Sequence, residues 1–286
     1  MPLRSELTAY ADDLKLIGTP GPDFQSDIDA LAKWAKENII SFNNDKCALL
    51  HLGQNNPNLN YFLNGKQLTC KEFERDLGIY VDCKLNYKQH LLHVRKKCYK
   101  MINILFKVFG VSDLPLYTRL FDLYVRPIMS YGSEIYGSTS AFSVDQLERV
   151  LRYFTKRQWL RLFKTKDFPN YQERLSRFQL TPVEIYRLRL DLLLLFKIAR
   201  GLVHIPSVNV KFSSRVQNRI ILNPVNSNFL RNAFLHRTSR LWNTVIRDGS
   251  FRLMSASEFK AFLLTLDLYP HTIGRALKAY SAVRAC

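Results

Sequence analysis

The stretch that decides the fold is LTAYADDLKLI, residues 7–17. An acidic pair, Asp12 and Asp13, stands between two short apolar runs, Leu7–Tyr10 and Leu14–Ile17. Runs of this length separated by polar residues favour two β-strands joined by a tight turn. Aspartate suits such a turn because its side chain can hydrogen-bond to nearby backbone amides. The sequence therefore predicts a hairpin that presents two carboxylates at its tip.

The residues that follow alternate between helical and strand-like patterns up to about residue 85. Apolar residues recur at helical spacing from Asp23 to Asn38, which predicts one helix with a single buried stripe. The pair Asn64-Gly65 between two apolar runs is a hairpin signal, since both residue types tolerate positive φ. We expect residues 1–85 to form an α+β unit with a small antiparallel sheet and one helix.

From about residue 86 onward the pattern is helical. The predicted helices are 88–108, 115–129, one from about Val144, 181–202, 229–246 and 257–266. The chain is therefore expected to have three segments. They are the α+β unit over 1–85, a helical region over 86–200 and a basic, helical C-terminal region over 201–286.

Charge is divided unevenly along the chain, whose formal net charge is +18. Residues 1–85 hold 9 basic and 12 acidic residues, a balance of −3, and the remainder has a balance of +21. Positive charge concentrated in one region favours a polyanionic partner, of which nucleic acid is the commonest. A solvated basic surface without such a partner is the alternative.

Other features of the composition indicate an intracellular protein. The five cysteines are scattered, with no CxxC pair, so free thiols in a reducing compartment are expected rather than a zinc site. No run approaches 18 apolar residues, so no membrane association is predicted. The first residues lack the apolar core of a secretory signal. We expect a protein of the nucleus, the cytoplasm or both that uses no small-molecule cofactor.

The helix predicted from about Val144 combines an apolar face with a row of basic residues, and Tyr153 and Trp159 are interleaved with them. Such charges hold phosphates, and such rings stack on bases or sugars. A solvated amphipathic helix is the alternative interpretation. The basic residues predicted to bind nucleic acid are Arg149, Arg152, Lys156, Arg157, Arg161 and Lys164.

The acidic pair also suits metal chemistry. Mg²⁺ prefers oxygen ligands and usually binds one or two carboxylates together with substrate phosphates. In nucleotidyl transfer two such ions lie about 4 Å apart and stabilise the attacking and leaving oxygens. A hairpin turn would bring Asp12 to the mouth of the sheet, where the end of a primer can reach it. The alternative is a solvated turn that binds no ligand.

Several short motifs follow one another in a specific order. They are Tyr10-Ala-Asp-Asp13, Trp34 with Phe42-Asn-Asn-Asp-Lys-Cys47, Arg75-Asp-Leu-Gly-Ile79, Leu85–His90, Leu123–Pro127 with Tyr131, Arg240–Asn243 and Phe259-Lys260. Taken in this order, they resemble motif C, motif D, the primer-gripping hairpin, the thumb and the C-terminal segments of the reverse transcriptases of non-LTR (LINE-type) retrotransposons. The resemblance spans nearly the whole chain.

The resemblance implies an RNA-directed DNA polymerase fold: the C-terminal half of a palm followed by a mainly helical thumb and C-terminal region. It implies that Asp12 binds Mg²⁺ (or Mn²⁺) beside Asp13, and that Lys46 donates a proton to the pyrophosphate leaving group. Leu77 and Gly78 would position the primer, and the implied partners are an RNA template and a DNA primer. Lys46 as a surface charge and Gly78 as a simple bulge remain open alternatives.

In the family that the chain resembles, a further metal-binding aspartate lies on a strand before motif C, and only nine residues precede Tyr10 here. We therefore expect a truncated reverse transcriptase without polymerase activity of its own. Three functions stay open. The first is a catalytically incomplete polymerase fragment, and the second is a basic nucleic-acid-binding remnant in which Asp12 and Asp13 are relics. The third is a protein-interaction remnant, which the +21 balance argues against.

Overall fold

The computed structural model describes residues 3–53, 55–110, 113–137, 141–206, 208–216, 218–246 and 250–272. Over these ranges the chain is α+β, as the sequence predicts, and helices predominate over short strands. The chain divides into two compact units, Met1–His90 and Leu91–Cys286. The division into three segments stays a prediction. No helix in the described ranges is both long enough and apolar enough to cross a membrane.

The first unit contains the strands, which are paired two by two. β1 (Glu6–Tyr10) and β2 (Asp13–Ile17) form the predicted antiparallel hairpin, and helix α1 (Pro22–Glu37) follows it. The remaining strands are β3 (Ala48–Leu49), β4 (Phe62–Leu63), β5 (Lys66–Gln67), β6 (Thr69–Cys70), β7 (Phe73–Asp76) and β8 (Ile79–Asp82). β3 runs parallel to β6, whereas β4–β5 and β7–β8 are antiparallel hairpins.

A small apolar core holds the first unit together. Phe24 of α1 packs against it, and the rings of Phe24 and Tyr61 meet edge to face with centroids 4.9 Å apart. The predicted Asn64-Gly65 turn joins β4 to β5 next to this core, and both of its residues have positive φ, 52° and 75°. The buried core residues are Ile28, Leu49, Tyr61 and Leu63.

The start of the first hairpin is attached to α1 through one carboxylate. Asp27 is buried on α1 and accepts hydrogen bonds from the Arg4 amide at 3.2 Å and the Ser5 amide at 2.8 Å. The hydrogen bonds from Ser5 lead the causes that lower the pKa of Asp27, so its carboxylate stays charged in the folded chain. This contact fixes where β1 begins relative to the helix.

The second unit is helical. Its two longest helices are α2 (Lys88–Val108), which begins in the first unit, and α5 (Ala141–Phe163). The others are α3 (Leu114–Leu120), α4 (Arg126–Ser130), α6 (Tyr171–Arg177), α7 (Val183–Ala199), α8 (Asn228–Asn232), α9 (Phe234–Val245) and α10 (Ala256–Thr265). Short 3₁₀ turns cover Ser250–Leu253 and Tyr269–His271.

The helix predicted over 115–129 is observed as three consecutive segments. A π-helical turn over Phe121–Val125 separates α3 from α4. Pro127 follows this turn and has no amide hydrogen to donate to the carbonyl four residues back. The preceding amide, that of Arg126, donates to the Phe121 carbonyl five residues back. The proline thus accounts for the local widening of the helix.

Aromatic rings from α7, α9 and α10 form the centre of one core cluster of the second unit. Phe196 and Phe259 stack with centroids 4.1 Å apart and planes 9° from parallel. Trp242 lies 5.7 Å from Phe259 and meets Phe251 edge to face at 4.9 Å. These rings pack α9, which contains Arg240–Asn243, and α10, which contains Phe259-Lys260, onto α7.

Candidate functional site

The acidic turn has the geometry that the sequence predicts. Tyr10 pairs with Asp13 at the closed end of the hairpin, which leaves Ala11 and Asp12 as a two-residue turn. Ala11 adopts a positive φ of 52°, as such tight turns require. Asp12 and Asp13 are both exposed, and no ion pair with a described side chain neutralises either carboxylate. The tip of the hairpin is therefore open to a cation or to a polar ligand.

The described residues offer no group of three His, Cys, Asp or Glu side chains placed to hold a metal ion. Asp12 and Asp13 therefore supply two carboxylates and, within those ranges, no third protein ligand of these types. Two carboxylates are sufficient for Mg²⁺ when substrate phosphates complete its coordination. The turn fits a metal carried in by a phosphate-bearing substrate, and it does not fit a preformed protein cage.

The hairpin that carries Leu77 and Gly78 is joined to the acidic hairpin. Lys15 of β2 forms an ion pair with Asp76, the last residue of β7. Asp13 lies two residues before Lys15, and Leu77 directly follows Asp76. The structure therefore brings the predicted metal turn and the predicted primer-binding turn together within the first unit.

The β7–β8 turn is backbone-strained at its tip. Leu77 and Gly78 have φ values of 43° and 87°, so both central residues of the turn are in the left-handed region. Glycine adopts this conformation freely, but leucine does so at a cost of about 1 kcal/mol or more. The Leu77 side chain is 47% exposed. Strain held at an exposed tip is typical of a binding position.

Lys46 lies in an exposed turn. Its amide donates a hydrogen bond to the Asn43 carbonyl at 3.0 Å. Its neighbour Asp45 is ion-paired with Lys66 at 2.6 Å. No contact in the described part of the chain links the Lys46 ammonium to Asp12, and its catalytic role stays a prediction.

Three of the six predicted nucleic-acid-binding residues turn inward from α5. The Arg161 guanidinium donates to the Phe106 and Phe109 carbonyls at the end of α2, at 2.7 and 3.3 Å. Arg157 lies over the Phe106 ring at 5.2 Å. Arg152 lies over the ring of Tyr171 of α6 at 4.8 Å. These arginines hold the helices of the second unit together.

The other three predicted residues, Arg149, Lys156 and Lys164, are exposed. Lys156 lies over the Phe168 ring at 5.5 Å, which leaves its ammonium near the surface. Lys164 follows the end of α5 and adopts a positive φ of 55°. Arg149 and Lys156 are two turns apart on the same side of α5, where both reach solvent.

α2 contributes lysines to the same surface, and the sequence pattern alone did not single them out. The α2 and α5 helices meet where the Tyr99 and Tyr153 rings lie 4.9 Å apart and where Tyr153 donates a hydrogen bond to the Asn103 side chain at 2.7 Å. Beside this seam α2 exposes a row of lysines that recur at helical spacing. We call the exposed residues on both sides of the seam the basic face: Lys96, Lys100 and Lys107 of α2, and Arg149 and Lys156 of α5.

The second unit also buries a carboxylate with no candidate role in the sequence patterns. Glu148 of α5 accepts hydrogen bonds from the Tyr171 hydroxyl at 2.6 Å and from the Val183 amide, the first of α7, at 3.0 Å. Burial raises the pKa of Glu148 to about 7, with Glu184 adding to the rise and the hydrogen bonds and Arg152 opposing it. This carboxylate joins α5, α6 and α7 and is not open to a ligand.

The comparison with known proteins identifies a nematode relative. The chain is 30% identical over 142 residues to Uncharacterized protein B0403.1 of Caenorhabditis elegans. The alignment covers 49% of this chain and 71% of the nematode protein. No protein-family description matches the chain, and no solved structure matches it. At this identity and coverage, the chain belongs to the same family as the nematode protein.

Proposed function

We propose that this chain derives from a non-LTR reverse transcriptase and acts by binding nucleic acid through the basic face of α2 and α5. The observation that carries the proposal is the row of exposed cations on two adjacent helices, held in place by the Tyr99–Tyr153 contact. The first unit would then correspond to the C-terminal half of a palm, and α2 to α7 to a thumb. Its partners would be an RNA template and a DNA primer.

The basic face suits a phosphate backbone better than it suits base edges. Its members are mostly lysines, which act as compact point charges without the planar fork that reads a guanine edge. The Tyr153 ring is packed on Tyr99, so it is engaged in the seam rather than presented for stacking. Binding of this kind is independent of sequence and falls steeply as salt is raised.

A salt titration with a matched charge control tests the proposal. Fluorescence anisotropy would measure the affinity of the full chain for an RNA–DNA hybrid at several salt concentrations. Lys100→Gln with Lys156→Gln removes two charges of the basic face, and we expect the slope of log affinity against log salt to become shallower by about 2. Lys33→Gln with Lys36→Gln removes two exposed charges from α1 and should leave the slope unchanged. Equal effects of both pairs would refute the assignment of the basic face.

We propose the acidic turn as the second candidate function, a metal site for nucleotidyl transfer. Its support is the open pair of carboxylates and the Lys15–Asp76 contact that places Leu77 and Gly78 nearby. Mg²⁺ or Mn²⁺ at Asp12 and Asp13 would neutralise nucleotide phosphates there. In this proposal Lys46 remains the candidate proton donor.

Primer extension separates the two candidates. With Mg²⁺, nucleotides and a primed RNA template, we expect no incorporation by the chain alone, since the described residues supply no third acidic ligand. Should incorporation occur, the Asp12→Asn variant must abolish it. Incorporation that survives this substitution would overturn the assignment of the metal turn, whereas binding without incorporation leaves the basic face as the functional surface.

A further inference from the structure

β1 is an edge strand with no partner on its outer side among the described residues. All five residues of Glu6–Tyr10 are exposed, and the sheet that contains β1 has β2 as its only other strand in the described ranges. Leu7 is 40% exposed and Tyr10 is 66% exposed, so apolar surface accompanies the open edge. An open edge of this kind is a template for pairing with another chain.

The hairpin register identifies which amides of β1 are open. In a two-residue hairpin the closing pair, here Tyr10 and Asp13, exchanges hydrogen bonds, and the pairs alternate from there. The amide and carbonyl of Thr8 therefore point toward β2. Those of Leu7 and Ala9 point outward, where a further strand would bind them.

We propose that the outer edge of β1 binds β1 of a second copy of this chain, antiparallel and centred on Thr8. In this register Leu7 of one copy exchanges both hydrogen bonds with Ala9 of the other, and the two Thr8 side chains meet on the dyad. Pairs of threonines across strands are favourable, and the pairing places no like charges directly opposite each other. The result is a four-stranded sheet with its Leu7 and Ala9 side chains on one continuous face.

The opposite edge of the same hairpin is less suited to self-pairing. β2 has Lys15 at its centre, so an antiparallel β2–β2 pair would place two lysines directly opposite each other. A central lysine is a common means of protecting an edge from pairing. Lys15 is also engaged with Asp76 of β7.

Charge favours the first unit as the place where two copies meet. Residues 1–90 hold 10 basic and 12 acidic residues, a balance of −2, and the remaining residues have a balance of +20. Two copies approaching through their second units would repel each other strongly. Contact through β1 brings together two nearly neutral units, and it does not depend on the proposed nucleic-acid binding.

The test is the mass of the full chain in solution as its concentration is raised. Sedimentation equilibrium of the wild type should show a shift from 33.4 kDa toward twice that mass. Ala9→Pro removes one outward amide without touching the hydrogen bonds to β2, and it should keep the chain monomeric. Leu14→Pro makes the same change on the opposite edge, directly across from Ala9, and should leave the dimer intact.

If either proline variant unfolds the hairpin, a disulfide crosslink tests the β1–β1 pairing independently. In the Thr8→Cys variant the two introduced thiols should meet on the dyad and form an intermolecular disulfide on oxidation. Peptide mass spectrometry identifies that disulfide, so that the natural cysteines are not mistaken for it. A wild-type chain that stays monomeric at high concentration would overturn the proposal. So would a dimer that persists in a folded Ala9→Pro variant, or a Thr8→Cys dimer without that disulfide.

Discussion

Replacement of the buried carboxylate Glu148 by glutamine should remove one contribution to the pH dependence of stability. Glu148 has a pKa of about 7 in the folded chain, against an ordinary value of 4.5, and burial is the main cause. Each unit of difference between the folded and unfolded pKa corresponds to about 1.4 kcal/mol in the free energy of unfolding. The two values therefore correspond to a stability difference on the order of 3 kcal/mol.

The sign follows from which state binds the proton more tightly. The folded chain holds the Glu148 proton up to a pKa of about 7, whereas the unfolded chain releases it near 4.5. The stability from the neutral carboxyl is fully present below pH 4.5 and is lost as the pH rises from there to about 7. Glu148→Gln stays neutral at every pH, so its free energy of unfolding should lack this decline.

Glutamine can also keep the local hydrogen bonds. Its carbonyl can accept from the Val183 amide, and its amide group can donate to the Tyr171 hydroxyl oxygen, which replaces the two bonds that Glu148 accepts. The substitution should therefore change the titration without breaking the contact between α5, α6 and α7.

Urea unfolding followed by tryptophan fluorescence between about pH 4.5 and 8 measures the difference. The wild-type curve should fall relative to the Glu148→Gln curve by about 3 kcal/mol across this interval. Hydrogen bonds from Ser255 lower the pKa of Glu258, so the stability that its carboxylate contributes is lost on acidification. Glu258→Gln is therefore a control in which the pH effect has the opposite sign. Parallel curves for the wild type and Glu148→Gln would refute the reasoning.

Two further substitutions test the close packing around Gly137 and the backbone strain at Ile39. Gly137→Ala should destabilise the second unit by about 3 kcal/mol, because a Cβ there would overlap the Arg237 guanidinium and displace it from its bidentate contact with Asp191. Gly110→Ala, where a Cβ meets no atom within 4 Å, is its matched control in urea unfolding. Ile39→Gly should raise the free energy of unfolding by about 1 kcal/mol, since Ile39 has a φ of 60° while 97% exposed. A melting temperature that falls in Ile39→Gly would contradict this.

The two turns predicted from the sequence are determined by residues that are adjacent in the chain. The Asn64-Gly65 turn and the acidic turn at Asp12 follow from residues adjacent in the chain, and both are hairpin turns in the structure. The π-helical turn over Phe121–Val125 was not predicted, although Pro127 carries its signal. The burial of Glu148 was also missed, because its partners on α6 and α7 are set by packing rather than by local sequence.

The basic residues of the second unit show why charge alone did not identify the proposed binding surface. On the sequence pattern Arg157 and Arg161 are indistinguishable from Lys156, since all lie on one basic helix. The structure separates them, because both arginines lie over the Phe106 ring and Arg161 also donates to carbonyls at the end of α2, whereas Lys156 lies over the Phe168 ring. The signal that could have identified the α2 lysines is the spacing of Lys96, Lys100 and Lys107 opposite an apolar stripe.

The two kinds of cation have different roles in the second unit, according to their chemistry. The planar Arg161 fork donates to two carbonyls and lies over a ring, an arrangement that suits its fixed donor geometry better than the single charged centre of a lysine. Lys100 and Lys156 reach solvent on flexible stems, which suits transient contact with phosphates. The net positive charge of the second unit therefore overstates the number of cations available to bind nucleic acid in the proposed function, because some of its arginines hold helices together. On this argument Arg161→Lys lowers the free energy of unfolding in urea and leaves the salt dependence of nucleic-acid binding unchanged. Lys100→Gln with Lys156→Gln should instead weaken the salt dependence of binding and leave the free energy of unfolding unchanged.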